Sequence, residues 1–153
     1  MANQFKFIRV DRFFDDMNRE ECFDTEDMDG VSPNFRFVLS SDCPQDIEEC
    51  LDADGTLNTD AVTIVDTDNA DDGLCSLLWS KGVNGERSMS ISDSTVTFDF
   101  GDEKPDVNGI FLVNVSNGSG YVLAYCIFDK TLTFDGVLIL PCNGLIWSIR
   151  YGN

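Results

Sequence analysis

The chain contains no histidine, and only ten lysines and arginines stand against 28 aspartates and glutamates in its 153 residues. Without an imidazole there is no Ser-His-Asp or Cys-His arrangement, no ordinary general base near neutral pH, and none of the histidine-bearing catalytic zinc sites. Cysteines at CxxC spacing are missing too, and Cys43 and Cys50 stand seven positions apart, which matches no common zinc ribbon. Neither GxSxG, nor GxGxxG, nor a GxxxxGK loop followed by Ser or Thr occurs, so the nucleophile elbow and the familiar phosphate-binding loops are absent. No apolar run reaches the length of a membrane span. The start, MANQFKFIRVDRFF, alternates charged and apolar residues where a secretory signal would need a continuous apolar stretch, so no signal is expected.

What is present is a rich core and an uneven charge. Hydrophobic residues make up 42% of the chain, with 12 Phe, 3 Tyr and 2 Trp, too many for a disordered acidic chain and enough for one folded domain over residues 1–153. The formal net charge is -18, distributed as 20 acids against 5 bases over residues 1–75, net -15, and 8 against 5 over residues 76–153, net -3. Such a potential repels nucleic-acid phosphates and anionic membranes and favours cationic partners or solubility. No nucleic-acid or membrane partner is expected.

Period-two and apolar runs recur through the second half: SMSIS (88–92), TVTFDF (95–100), GIFLVNV (109–115), YVLAYCIF (121–128), TLTFDGVLIL (131–140) and GLIWSIR (144–150). Their separators, GDEKPDVN, SNGSG, DK and PCNG, are turn sequences. Within TLTFDGVLIL, Asp135-Gly136 reads either as a tight hairpin turn, which we favour, or as a glycine bulge inside one long strand. In the first half FKFIRVDRF and NFRFVLS read as two further strands, and SDCPQDIEECLDADG as one short helix capped by Ser41 or Asp42. Residues 14–33 and 52–73 read as loops. The expected fold is therefore mainly β: a single antiparallel β-sandwich, Ig-like or jelly-roll-like, with a mean strand of about five or six residues, one short helix and long acidic loops in the N-terminal half. Residues 1–33 form, in this reading, a docking strand followed by an acidic loop.

The acidic stretches invite a calcium reading, which their spacing refuses. An EF-hand loop needs oxygen ligands at positions 1, 3, 5 and 12 around a glycine at 6. Anchoring on Gly73 of DTDNADDG puts Asp68, Ala70, Asp72 and Trp79 at those positions; anchoring on Gly55 puts Cys50 first and Ala61 last; anchoring on Gly30 puts Thr25 first and Arg36 last. None is an EF-hand, and no metal or cofactor is expected. A carboxylate pair could in principle hydrolyse glycosides, but the acids fall in loops with no aromatic platform in the same segments. The six cysteines are expected as thiols, with Cys75, Cys126 and Cys142 among apolar neighbours and Cys43 and Cys50 on the buried or edge face of the short helix. Trp79, Phe98, Phe100, Phe111, Tyr125, Phe134 and Trp147 lie in strand-like runs and are expected to pack. The opening FKFIRVDRFF is the one basic, aromatic segment in an acidic half. Phe5, Phe7, Arg9, Arg12, Phe13 and Phe14 are its candidate partner-docking residues, by strand addition, with the alternative that its phenylalanines complete the core.

Two stretches carry a family resemblance. VNGIFLVNVSNGSGYVLAYCIFDKTLTFDGVLILPCNGLIWSIRYGN resembles the ends of small structural proteins of tailed bacteriophages, through Gly109–Val113, Val122–Tyr125 and Asn143–Ile149. FKFIRVDRF followed by NREECFDTED is similar to products encoded near the capsid genes of crAss-like phages. The acidic loops are not part of the resemblance. It implies a non-enzymatic virion protein, such as a capsid auxiliary, decoration or head-fibre protein, made in the host cytoplasm and docked on the phage head. Its partners would be the major capsid protein or other virion proteins, with self-association a further option. Other readings are a carbohydrate- or calcium-dependent binding module and an acidic mimic of nucleic acid.

Overall fold

The computed structural model describes residues 7–10, 30–65, 67, 72–81, 86–91, 95–114, 121–142 and 146–150. They form ten strands: β1 (Ile8–Arg9), β2 (Gly30–Asp42), β3 (Thr63–Ile64), β4 (Leu74–Lys81), β5 (Glu86–Ile91), β6 (Thr95–Asp99), β7 (Asp106–Asn114), β8 (Tyr121–Thr133), β9 (Val137–Pro141) and β10 (Ile146–Arg150). Every pairing is antiparallel. The protein is mainly β, and no helix of seven or more residues occurs among the described residues.

Eight strands make one sheet, in the order β1-β8-β7-β2-β4-β5-β10, with β3 also paired to β2; β6 and β9 form a separate two-stranded ribbon. The ribbon shows why alternation makes a strand: Thr95, Thr97 and Asp99 face outward while Val96 and Phe98 are buried, and β9 repeats the pattern with Leu138 and Leu140 inward. Asp135-Gly136 is neither a hairpin turn nor a bulge. β8 ends at Thr133 in the large sheet and β9 pairs with β6, so the pair makes the corner at which the chain changes sheets. Gly136 takes φ +80° there, and its carbonyl accepts from the Phe100 N–H at 2.7 Å.

The large sheet is covered on both faces. On one, Phe35, Phe37 and Leu39 of β2 and Val107, Ile110 and Leu112 of β7 meet Val96, Phe98, Leu138 and Leu140 of the ribbon. On the other, Phe111, Val113 and Val122 meet Val10, Cys43, Cys50, Leu51 and Val62, so the segment after β2 caps that face. Bulges adjust the register. Leu112 opposes Ala124 and Val113 opposes Val122, which leaves Leu123 as the extra residue and turns both Leu123 and Ala124 to the ribbon side.

Two expectations need correction here. The short helix is a single 3-10 turn over Ile47–Cys50, and its cap is Asp46, whose carboxylate accepts from the Glu48 N–H at 3.0 Å. Ser41 and Asp42 belong instead to β2, because the sheet continues through the pairing of Asp42 with Thr63. Residues 30–33 are strand, not loop: Gly30, Val31 and Ser32 pair with Trp79, Leu78 and Leu77. Pro33, which has no N–H to give, falls where the register shifts between Ser32 and Phe35. Strand length is uneven, from two residues in β1 and β3 to 13 in β2 and β8.

Candidate functional site

The loop LDADGTLNTD (51–60) is built on its own side chains. Thr56 is its centre: the hydroxyl donates to Asp54 at 2.7 Å and to Asp52 at 3.3 Å, while its N–H donates to the Asp54 carboxylate at 3.1 Å. The Asp60 N–H donates to the Asn58 side chain at 2.9 Å, and the Val122 N–H of β8 donates to the Gly55 carbonyl at 3.1 Å, tying the loop to the sheet. These contacts are those of short polar residues in turns. Among the described residues no group of three or more His, Cys, Asp or Glu is placed to hold a metal ion. Cys50, first in the failed EF-hand spacing, points its thiol at the carbonyls of Pro44 and Asp46.

Of DTDNADDG, only Thr67, Asp72 and Gly73 are described. Asp72 is buried, and its carboxylate accepts from the Asp99 N–H at 3.1 Å. The N–H groups of Phe98 and Phe100 point toward β9, as the Phe100 bond to Gly136 shows, so that of Asp99 points to the free edge of β6. Asp72 therefore closes that edge. Gly73 has φ +82°, and a Cβ there would lie 2.2 Å from the Phe37 carbonyl oxygen. Only glycine fits where the acidic loop meets β2, and the Gly73 carbonyl accepts from the Phe37 N–H at 2.8 Å.

The N-terminal candidates divide. Phe7 packs against the ribbon-side core, its ring centroid 5.4 Å from that of Phe37 at 59°. Ile8 and Arg9 pair with Tyr125 and Ala124 of β8, the Val10 N–H donates to the Leu123 carbonyl at 2.8 Å, and Val10 is buried. Phe5, Arg12, Phe13 and Phe14 lie outside the described residues, and only the backbone of Arg9 is described. As far as it is described, then, this segment is a strand of its own sheet. No protein-family model matches the chain, and no curated protein or solved structure is significantly similar to it.

A second surface emerges from the fold. On the outer face of the ribbon, Val137 and Ile139 are 47% and 59% exposed, opposite Asp99 and Thr97, with Pro141 opposite Thr95. Among the described strand residues of that face Asp99 is the one charge, and exposed Asp102, Glu103, Lys104 and Asp135 lie in the adjoining turns. The acidic loop of residues 46–60 covers the opposite face of the large sheet, with Asp46, Glu48, Glu49, Asp52, Asp54 and Asp60 all exposed. The alternation of TVTFDF and TLTFDGVLIL announces two-faced strands, but it cannot say which face turns to solvent.

Beneath the acidic loop lies a buried polar cluster. The Ser40 hydroxyl donates to Asn108 Oδ1 at 2.8 Å, and Asn108 Nδ2 donates to the Cys43 carbonyl at 3.1 Å. Cys43 and Cys50 belong to the same buried cluster. Burial pushes both thiols up, Cys50 to about 12, with the neighbouring Cys43 sulfur adding to the effect.

Proposed function

We propose that this chain is a non-enzymatic structural module, a β-sandwich whose second layer is the ribbon, that docks on a virion shell as a capsid auxiliary or decoration protein. The observation that carries the reading is an uncharged, partly apolar strip on the outer face of the ribbon, away from the acid-rich loop on the other side of the large sheet. The strip is Val137, Ile139, Pro141, Thr95 and Thr97, bordered by exposed Asp99 and, in the turns at the ribbon's end, by Asp102, Glu103, Lys104 and Asp135. A shell-bound protein needs a weakly charged face for its support and benefits from a strongly charged one toward solvent, which keeps particles apart. Within the acidic loop the Asp52 and Asp54 carboxylates accept from Thr56 and shape the turn, which supports a structural role for them. The partner in this reading is the major capsid protein of a phage head, and the protein is made in the host cytoplasm.

Ile139→Asp tests the docking face, since position 139 is exposed and the change leaves the core intact. The protein is expected in purified particles at a copy number matching capsid symmetry, and the variant is expected to fold with wild-type stability yet drop at least about tenfold in occupancy, the effect of losing one central apolar anchor. Wild-type occupancy for Ile139→Asp would refute the ribbon as the docking face. Absence of the wild-type protein from particles would refute the virion role.

A further inference from the structure

We propose that the free edge of β9 is a strand-addition site that receives an extended, apolar and basic segment of another protein. Hydrogen-bond directions in the ribbon define it. The Phe100 N–H donates to the Gly136 carbonyl, and Asp99 turns its N–H the other way, to Asp72. Alternation along the register then aims the backbone groups of Leu138 and Leu140 at β6 and those of Val137, Ile139 and Pro141 at the opposite border. Among the described residues no strand pairs there. The side chains along this border are exposed, Ile139 most of all. The outer border of β6 differs, because it carries Thr95, Thr97 and Asp99, and Asp72 already occupies it. An edge left open in this way is where extended peptides add, the backbone giving affinity and alternate side chains specificity.

What the border offers decides what can cover it. The Val137 N–H is taken by the Asp135 carbonyl at 2.9 Å, and Pro141 has no N–H. Three carbonyls, of Val137, Ile139 and Pro141, and one N–H, of Ile139, remain for an incoming strand, whichever way it runs. A second copy meets this demand badly. Two β9 strands paired antiparallel about Ile139 would exchange two bonds between the Ile139 residues, but each Val137 carbonyl would face a proline and each Pro141 carbonyl an N–H already used. The net charge of -18 adds repulsion between copies. The occupant is instead a segment of another chain with no proline at three alternate positions, so that it supplies three N–H groups and one carbonyl. Its outward side chains lie beside Val137 and Ile139 and are apolar or β-branched. At one end of the ribbon exposed Asp99, Asp102, Glu103 and Asp135 stand against Lys104, so the matching end of the segment is basic. The proposal rests on the reading above in taking the ribbon as the docking element, and adds the border used and the chemistry of the chain that uses it.

The test is amide hydrogen exchange, read by NMR on the intact protein with a capped probe peptide, Lys-Val-Thr-Val-Thr-Val-Lys. In the free protein the Leu138 and Leu140 N–H groups are expected to be protected by β6 and the Ile139 N–H to exchange fast. With peptide at about ten times its dissociation constant, Ile139 exchange is expected to slow about tenfold, because only the unbound fraction exchanges. The same peptide ending in glutamates is expected to bind several-fold more weakly. Ile139→Pro deletes the one donor of the border and is expected to weaken peptide binding about tenfold, followed at the Leu140 resonance, while Ile139→Thr keeps the N–H and loses less. Protection of Ile139 in the free protein would mean that the chain covers its own edge, and protection that grows with protein concentration would mean a second copy. Either result overturns the proposal, as does a peptide that leaves Ile139 exchange unchanged or equal binding of the glutamate-ended peptide. If Ile139→Pro folds poorly, the wild-type exchange data decide. In particles, normal occupancy of Ile139→Pro beside loss of Ile139→Asp would overturn edge addition and leave the ribbon face as the docking surface, whereas absence of the wild-type protein from particles refutes the virion role alone.

Discussion

Asp72 and Gly73 show how a residue can look like a ligand and serve the fold. An aspartate before a glycine in an acidic run suggests a cation loop, yet the Asp72 carboxylate closes the free edge of β6 and Gly73 fits against the Phe37 carbonyl oxygen. The buried thiols have a consequence at the same scale. Cys50 ionises at about 12 in the fold against an ordinary 9.0. A folded-state value above the unfolded one means that the unfolded chain gives up its proton first as pH rises. The stability from keeping this thiol neutral is therefore intact below pH 9 and lost as pH climbs toward 12. Denaturant titrations between pH 8 and 10.5 are expected to show a decline approaching about 1.4 kcal/mol per pH unit for this one group. Cys50→Ser, which does not titrate, should decline less steeply, and equal slopes would contradict the burial effect.

At the level of elements, β1 is short in pairing but not in packing. It contributes two paired residues, yet it brings Phe7 onto Phe37 and buries Val10 on the opposite face, so it fastens both layers to β8. Deleting residues 2–14 is expected to lower stability by about 2–5 kcal/mol, by comparison with large-to-small changes in cores. Thermal melting of the truncated protein checks this, and an unchanged midpoint would show that the segment is dispensable for folding. The strands with strict alternation, TVTFD and VLILP, were legible because each has one wet face and one dry face. LCSLLWSK, which forms β4, does not alternate; it reads only as an apolar neighbourhood for Cys75, and its pairing with β2 and β5 is a long-range fact. The corner at Asp135-Gly136 escaped for the same reason. Its chemistry demands a positive φ, but whether the chain turns back or changes sheets depends on a partner, β6, some forty residues earlier. Of the candidate site, residue types and charge asymmetry could be read directly, whereas the ribbon face and its open edge required knowing which segments share a layer.

For the molecule as a whole, charge opposes the fold more than it supports it. The net charge is -18, and the described ion pair, Lys104 with Asp135 at 3.8 Å, lies between side chains 65% and 78% exposed, where such pairs contribute little. Six exposed acids share the segment from Asp46 to Asp60. Raising salt from about 0.01 M to about 0.1 M shortens the screening length from about 30 Å to about 10 Å and relieves this self-repulsion, so the melting temperature is expected to rise by several degrees. A melting temperature that falls with added sodium chloride would mean that attractive pairs dominate. The same charge acts before the fold exists, through the placement of β2. This strand lies next to β7 and β4 in the sheet, and its pairing with β7 joins Phe35–Ser40 to Gly109–Asn114. During synthesis, Phe35, Phe37 and Leu39 leave the ribosome long before that partner does. At 5–20 residues per second the interval of about seventy residues lasts roughly 4–14 s. The nascent chain carries its densest negative charge through that interval, so an apolar strand with one edge still open waits for its neighbour on a polypeptide that repels its own copies.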